Sequence, residues 1–141
     1  MRIERLASAN TANQTNMTDN KSFKDTKSEV ERKSQFRFAK EKHPDRVPVI
    51  IEKSLNETVL GDFKKKKFVF PKDHKMSTVS EYVNQQLIKD NGSNENQTIF
   101  LFSGSELVSV NETIFELYEK NKDEDGFLYL TYQSENTFGH C

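Results

Sequence analysis

The segment Arg46-Val47-Pro48-Val49-Ile50-Ile51-Glu52 decides the fold, because it is a nearly continuous run of β-branched residues. Such a run is typical of a strand that is buried on both faces of a sheet. After a loop, residues 54–66, comes Lys67-Phe68-Val69-Phe70, a second apolar run that stops at Pro71. Proline cannot donate a hydrogen bond to a sheet, so it favours the end of a strand. We therefore predict that the two runs pair as a hairpin.

Two helices are predicted before this hairpin, at residues 23–27 and 28–42. The second is highly charged and has a weak apolar stripe. It should end at His43-Pro44, because proline keeps the residue before it out of the helical region. Residues 1–22 are rich in Asn and Thr and carry little apolar surface. They cannot offset the entropy lost on ordering, so we predict a disordered N-terminal extension.

A longer amphipathic helix is predicted after the hairpin, because apolar residues recur there every three or four positions. These residues are Met76, Val79, Val83 and Leu87. Thr78 and Glu81 have the spacing of a capping box, in which the two side chains bond the free backbone groups of the first helical turn. The pattern therefore predicts a helix that begins near Thr78 and packs one face on the sheet.

Two further strands are predicted at residues 98–102 and 127–132, and between them Ser109 and Glu112 have the spacing to cap a short helix. This order of elements predicts an α+β fold of the β-grasp type. A four-stranded mixed sheet carries one right-handed crossover helix, and two additional N-terminal helices cover its other face. The domain should span residues 23–133, and residues 134–141 should form a flexible C-terminal tail.

The distribution of charge indicates acidic partners. Of the 141 residues, 30% are charged and 33% hydrophobic, with a net charge of −1. Residues 21–75 carry sixteen Lys and Arg against nine Asp and Glu, whereas residues 76–141 carry three against eleven. The first of these segments should present a basic surface. Nucleic acid is not expected as a partner, because no Gly-rich or RNP-type motif accompanies the basic residues.

Several classes of protein are excluded by what the sequence lacks. No apolar run approaches the roughly 20 residues of a membrane span or resembles a secretion signal, so we predict a cytoplasmic protein. The single cysteine, Cys141, cannot form an internal disulfide, and no metal site or cofactor is predicted. No P-loop, nucleophile elbow or spaced set of His and carboxylate residues is present. We therefore predict that the chain is not an enzyme.

Three collinear blocks carry a resemblance to a known family. They are His43 to Lys53, Lys65 to Pro71, and Asp123 to Tyr132 running into Ser134-Glu135-Asn136-Thr137-Phe138-Gly139. From Phe23 to Gly139 the chain resembles the ubiquitin-like autophagy modifiers, which include the GABA-receptor-associated proteins and the microtubule-associated light chains. The resemblance implies a ubiquitin-like fold and a role in autophagy. Asn84-Gln85-Gln86 and Val108-Ser109 depart from the family pattern, and the loop at 90–97 is longer than usual, which leaves partner preference open.

The resemblance also implies a chemistry for the tail. A cysteine protease would cut between Gly139 and His140. Enzymes of the E1-like and E2-like classes would then join the glycine to phosphatidylethanolamine on autophagosomal and vacuolar membranes. The chain would be cytoplasmic before conjugation and membrane-bound afterwards. The alternative is a peptide-binding adaptor of the same fold that is never lipidated, and only the tail discriminates between the two.

Finally, the resemblance implies a site for receptors and adaptors that carry an aromatic-x-x-aliphatic motif, added to the edge strand by β-augmentation. The aromatic pocket would use Gln35, Ala39, Pro48, Ile50, Lys67, Val69 and Phe127. The aliphatic pocket would use Phe68, Phe70, Pro71, Val79 and Tyr82. Acidic residues beside the motif would meet Arg46, Lys65, Lys66 and Lys67. Gln35 and Ala39 depart from the glutamate and larger aliphatic residue of the family, which predicts a wider and less polarised aromatic pocket.

Overall fold

The computed structural model describes residues 22–92 and 98–135. Residues 1–21 of the predicted N-terminal extension and the tail after Glu135, including Gly139 and His140, lie outside the described residues. Ser22, the last residue of that predicted extension, is described and caps the first helix. None of the helices in these two ranges is long and apolar enough to cross a membrane.

The described residues form a mixed sheet with helices on both faces, which confirms the predicted α+β fold. The helices are α1 (Phe23–Thr26), α2 (Glu29–Lys42), α3 (Met76–Asn91) and α4 (Ile114–Asn121). The strands are β1 (Arg46–Lys53), β2 (Lys67–Pro71), β3 (Ile99–Ser103), β4 (Glu106–Leu107) and β5 (Leu128–Ser134). The sheet has five strands rather than the four predicted. The additional strand, β4, contains two residues, which is too short to leave a periodic signal in the sequence.

The strand order is β2-β1-β5-β3-β4, so β2 lies at one edge. β1 and β2 form the predicted antiparallel hairpin, with Arg46 opposite Pro71 and Ile50 opposite Lys67. β5 runs parallel to β1 in the middle of the sheet. The C-terminal end of β5 therefore lies at the same end of the sheet as Lys53.

β1 is buried on both faces, as its continuous apolar sequence predicts. Val47, Val49 and Ile51 belong to the main core, which α3 covers. Ile50 points the other way and packs with Phe23 and Phe127 in a second, smaller cluster beneath α1 and α2. The leading helices thus cover the face of the sheet opposite α3. The four apolar residues predicted for α3, from Met76 to Leu87, are all buried.

The capping boxes predicted for α3 and for α4 are both wrong. α3 begins at Met76, two residues before Thr78, and has no side-chain cap. Its first amides instead donate to the loop before α4, Met76 to Glu112 O at 2.8 Å and Ser77 to Val110 O at 3.0 Å. Because the loop satisfies these amides, the helix needs no capping box.

Helix α4, in contrast, begins later than predicted. Its cap is Thr113, which forms a capping box with Glu116 in place of the predicted Ser109 and Glu112. Glu112 is instead paired with Lys120. Ser109 and Glu112 do have the spacing of a capping box. Thr113 and Glu116, the next Thr and Glu along the chain, have the same spacing and form the box that caps α4.

A buried carboxylate organises the loop that follows β1. Glu57 is 5% exposed, and its Oε2 accepts from the amides of Val59 at 2.8 Å and Leu60 at 2.6 Å. The same side chain also reaches β5, where Oε1 accepts from the Ser134 amide at 2.6 Å and Oε2 from the Ser134 hydroxyl at 3.1 Å. Ser134 is itself fully buried and is the last residue of β5, one residue beyond the predicted domain boundary. Glu57 therefore fixes the end of the last strand.

Candidate functional site

A cleft of about 610 Å³ runs between α2, β2 and the start of α3. Its floor is apolar. Phe68 and Phe70 lie side by side on β2 with ring centroids 6.2 Å apart, and the ring of Tyr82 stands edge-on to both at 6.0 and 5.5 Å. We call this space the β2 cleft. It is lined by Gln35, Phe38, Ala39, Lys42, His43, Arg46, Pro48, Lys65, Lys67, Phe68, Val69, Phe70, Pro71, His74, Thr78, Tyr82 and Phe127.

Most of the residues predicted for peptide binding meet in this cleft. α2 contributes Gln35 and Ala39, the hairpin contributes Arg46, Pro48 and Lys65, and β2 contributes all five of its residues. Tyr82 comes from α3, and Phe127 lies just before β5. Residues from four separate parts of the chain therefore converge on one side of the β1–β2 hairpin.

Three of the predicted residues do not line the cleft. Ile50 and Val79 are 0% exposed and pack in the two cores, so neither can contact a partner directly. Lys66 points to the opposite side of the chain, where its Nζ lies 3.1 Å from Glu52 Oε2. Lys65 and Lys67, two residues apart, both reach the cleft.

The charged side chains that line the cleft are all basic. None of its lining residues is acidic, and the side chains of Lys42, Arg46 and Lys65 form no ion pair within residues 22–92 and 98–135. Lys67 donates from Nζ to Gln35 Oε1 at 2.7 Å, which links β2 to α2 across the cleft. Because these three cations are not paired within the described residues, we expect the cleft to favour acidic ligands.

A polar network holds α2 beside the sheet, although α2 buries no residue completely. Arg32 Nε donates to the buried Asp125 Oδ2 at 2.8 Å, and Arg32 Nη1 donates to Lys27 O at 2.9 Å. The hydroxyl of Tyr129 donates to the same carboxylate, which also accepts from the Phe127 amide at 2.9 Å. The network thereby fixes Phe127 and α2 together, and both line the cleft.

The pKa values in this network reflect its hydrogen bonds. The hydrogen bond to Asp125 raises the pKa of Arg32. Burial and the donated hydrogen bond raise the pKa of the Tyr129 phenol. Burial of Asp123 opposes its ionisation, but hydrogen bonds from Lys24 and from the Asp125 amide lower its pKa below the ordinary value. The three pKa shifts favour a charged Arg32 guanidinium, a neutral Tyr129 phenol and a charged Asp123 carboxylate.

Sequence reasoning missed five residues of the cleft: Phe38, Lys42, His43, His74 and Thr78. For three of them, the helical spacing of the sequence could have indicated their position. Lys42 and His43 lie one turn beyond Ala39, and Thr78 lies one turn before Tyr82, so each shares a helix face with a predicted residue. His74 lies in the loop between β2 and α3, where no periodic pattern could place it.

No group of three or more His, Cys, Asp and Glu side chains is arranged to hold a metal ion in the part of the chain that the structure describes.

The chain is similar, in sequence and in structure, to proteins of one known family. Residues 31–139 match the family model described as "Autophagy protein Atg8 ubiquitin like". The chain is 42% identical to autophagy-related protein 8e of Arabidopsis thaliana over 110 residues, which cover 77% of this chain and 84% of the relative. It is 40% identical to autophagy-related protein 8 of Schizosaccharomyces pombe over 119 residues, covering 83% and 93%.

Solved structures agree with the sequence matches. The crystal structure of Trypanosoma brucei ATG8 superposes with a TM-score of 0.73 at 27% identity, covering 82% of this chain and 96% of that one. The structure of Plasmodium falciparum Atg8 in complex with an Atg3 peptide from the same organism superposes with a TM-score of 0.71 at 32% identity, covering 81% and 98%.

Proposed function

The chain belongs to the Atg8 family of ubiquitin-like autophagy proteins, and from this premise we propose that it is a modifier cut after Gly139 and conjugated to phosphatidylethanolamine. The observation that carries the proposal is where the family match ends. The matched residues are 31–139, so the match stops at Gly139 and leaves out His140 and Cys141. A processing cysteine protease would remove these two residues.

The chemistry of the tail suits glycine. While His140 is attached, the carbonyl of Gly139 belongs to an amide, which is a poor acyl donor. Cleavage exposes a carboxylate that an E1-like enzyme can adenylate, and the acyl group then passes through enzyme thioesters to the lipid amine. Because glycine has no Cβ, an extended chain end can enter a narrow active site and its thioester carbonyl stays unhindered. The chain itself contributes no catalytic residue to these steps.

Conjugation would change the location of the protein from the cytoplasm to autophagosomal and vacuolar membranes. Each buried CH₂ group contributes about 0.8 kcal/mol, and two acyl chains form the stable anchor that a single chain does not. The anchor persists until the bond between Gly139 and the lipid is hydrolysed.

We further propose that the β2 cleft binds short peptides with an aromatic-x-x-aliphatic motif, from receptors, adaptors and the E2-like enzyme. β2 is an edge strand that pairs with β1 alone among the described strands, so its outer edge can accept an extended peptide. The relative from Plasmodium falciparum is bound to an Atg3 peptide, which supports an E2-like partner for this chain. The uncompensated cations of the cleft favour motifs with acidic neighbours.

The two adjacent lysines give a direct test of this surface. Lys65→Gln should weaken binding of an acidic motif peptide about fivefold, or roughly 1 kcal/mol, because it removes a cation from the cleft rim. Lys66→Gln is the matched control and should bind as wild type does, since Lys66 faces Glu52. The dissociation constants can be measured by fluorescence anisotropy at low and high salt, and added salt should reduce the difference. Equal binding by wild type and Lys65→Gln would show that the lysine is only a solvated charge.

A further inference from the structure

The loop that follows β1 presents an apolar side chain to solvent. Leu55 is 97% exposed, the highest value among the exposed large hydrophobic residues of the described ranges, and Val59 in the same loop is 47% exposed. Single exposed hydrophobic residues are common on protein surfaces, so exposure alone does not identify a binding site. What distinguishes Leu55 is its position in the fold.

The backbone on both sides of Leu55 is held in a turn. The Ser54 amide donates to Tyr132 O at 3.0 Å. The Asn56 amide donates to Ser54 Oγ at 3.2 Å, and the Glu57 amide donates to Ser54 O at 3.0 Å. Leu55 lies at the tip of the turn that these bonds close. Because the turn is already formed, its backbone need not be ordered when Leu55 meets a partner.

The turn lies where the chain leaves the sheet toward its C-terminus. Ser54 follows the last residue of β1, and its partner Tyr132 lies two residues before the end of β5. Glu57, two residues after Leu55, accepts from the amide of Ser134, the last residue of β5. The residues on both sides of Leu55 are therefore bonded to the strand from which the tail begins.

We propose that Leu55 enters the surface of the bilayer to which the tail is joined, so that this turn becomes a second contact between the domain and the membrane. The inference rests on the conjugation of Gly139 proposed above. Gly139 lies only five residues beyond Ser134, so an anchored tail keeps the end of β5, and the turn bonded to it, close to the lipid. Anchoring also makes the contact intramolecular, which allows a small apolar surface to bind.

The charges beside the turn favour an apolar contact over an electrostatic one. Lys53 Nζ lies 3.7 Å from Asp62 Oδ2. Lys66 Nζ lies 3.1 Å from Glu52 Oε2. Each lysine has a carboxylate of the domain beside it, so the pair offers little net attraction to anionic headgroups. Burial of Leu55 at the boundary of headgroups and acyl chains is favourable whatever the charge of the headgroup. Zwitterionic vesicles should therefore be sufficient.

The test places a single tryptophan in the turn, because the chain has none of its own. The Leu55→Trp variant is anchored through its only cysteine, Cys141, to a maleimide derivative of phosphatidylethanolamine in phosphatidylcholine vesicles. Lipids brominated along their acyl chains quench tryptophans that reach them. Anchored Leu55→Trp should emit at shorter wavelength and be quenched at least about twofold, since apolar side chains at the interface penetrate about 5–10 Å. The same variant without the anchor gives the reference emission.

Val110→Trp, anchored in the same way, is the matched control. Val110 is 55% exposed, but its carbonyl accepts from the Ser77 amide at the start of α3, near the opposite end of the sheet. Its emission should stay unquenched. Equal quenching at positions 55 and 110 would overturn the inference, because the whole surface would then meet the lipid. No quenching at position 55 would also overturn it and leave the turn to a protein partner.

The composition of the vesicles adds a further arm. Quenching of Leu55→Trp that requires anionic lipid would overturn the inference, because charge would then bring the domain to the membrane. Coupling through Cys141 bypasses cleavage and acyl transfer, so these results do not depend on whether cells lipidate the chain. The intact mass of the cellular protein tests conjugation separately, and an unlipidated chain would refute the proposed function whatever the vesicles show.

Discussion

Replacing Gly139 with alanine is expected to abolish lipid conjugation and leave the folded domain unchanged. The added Cβ obstructs the narrow active sites through which the chain end must pass, both at cleavage and at acyl transfer. Gly139 lies five residues beyond Ser134, the last residue of β5, so we expect the substitution to leave the stability of the domain unchanged. Membrane fraction and intact mass measured in cells would check both expectations.

A chain that ends at Gly139 is the informative control. It already has the carboxylate that the protease would create, so it should gain the mass of the phospholipid without processing. If Gly139→Ala is still lipidated, or if the lipidated wild-type chain retains His140 and Cys141, the modifier mechanism is wrong. The adaptor that is never lipidated would then explain the fold and the cleft better.

Replacing Glu57 with alanine is expected to reduce the free energy of unfolding by about 3 kcal/mol or more. The change removes the acceptor of four hydrogen bonds, which come from the amides of Val59, Leu60 and Ser134 and from the Ser134 hydroxyl. Ser134 is fully buried, so its donors cannot turn to water without opening the end of β5. Chemical denaturation followed by circular dichroism would measure the loss.

Glu119→Ala makes the same chemical change at an exposed position and serves as the control. Glu119 lies 3.9 Å from Lys122 on the surface of α4, and exposed pairs of this kind contribute little. Its removal should alter stability by less than about 0.5 kcal/mol. If the two variants prove equally stable, the Glu57 contacts do not hold the end of the sheet.

The central parts of the fold could be predicted because they depend on patterns within short segments. The continuous apolar run of β1, the hairpin with β2 and the three-to-four spacing in α3 each leave a local signal. The start of α3 was not predictable in this way, and at α4 two successive Ser/Thr-x-x-Glu patterns compete, one from Ser109 and one from Thr113. Whether Thr78 or the loop at Glu112 satisfies the first amides of α3 depends on a tertiary contact, and local spacing carries no information about it.

The residues of the candidate site also fall into two groups, those that the sequence could indicate and those that only the folded chain brings together. Residues on β2 could be identified from the block Lys65 to Pro71, and those on α2 from the wider resemblance between Phe23 and Gly139. Lys66 could have been separated from Lys65 by the alternation of an extended chain. His74 reaches the cleft because the loop after β2 turns back at Pro71 and is held by the amide of Ile114. That placement depends on residues forty positions apart, so neither spacing nor composition could indicate it.

The parallel pairing of β1 with β5 also sets how far a captured partner can be from the lipid. Gly139 lies five residues beyond Ser134, and an extended chain of that length spans at most about 18 Å. β5 leaves the sheet at Ser134, two residues beyond Tyr132, which lies opposite Lys53. From Ser134 to the level of Arg46, which lies opposite Pro71, the sheet therefore extends about 30 Å. With the lipid on Gly139, as proposed, a peptide in the β2 cleft would stay within about 5 nm of the lipid headgroup whichever way the domain turns. Such a short tether would draw the membrane and anything bound to the modifier into near contact.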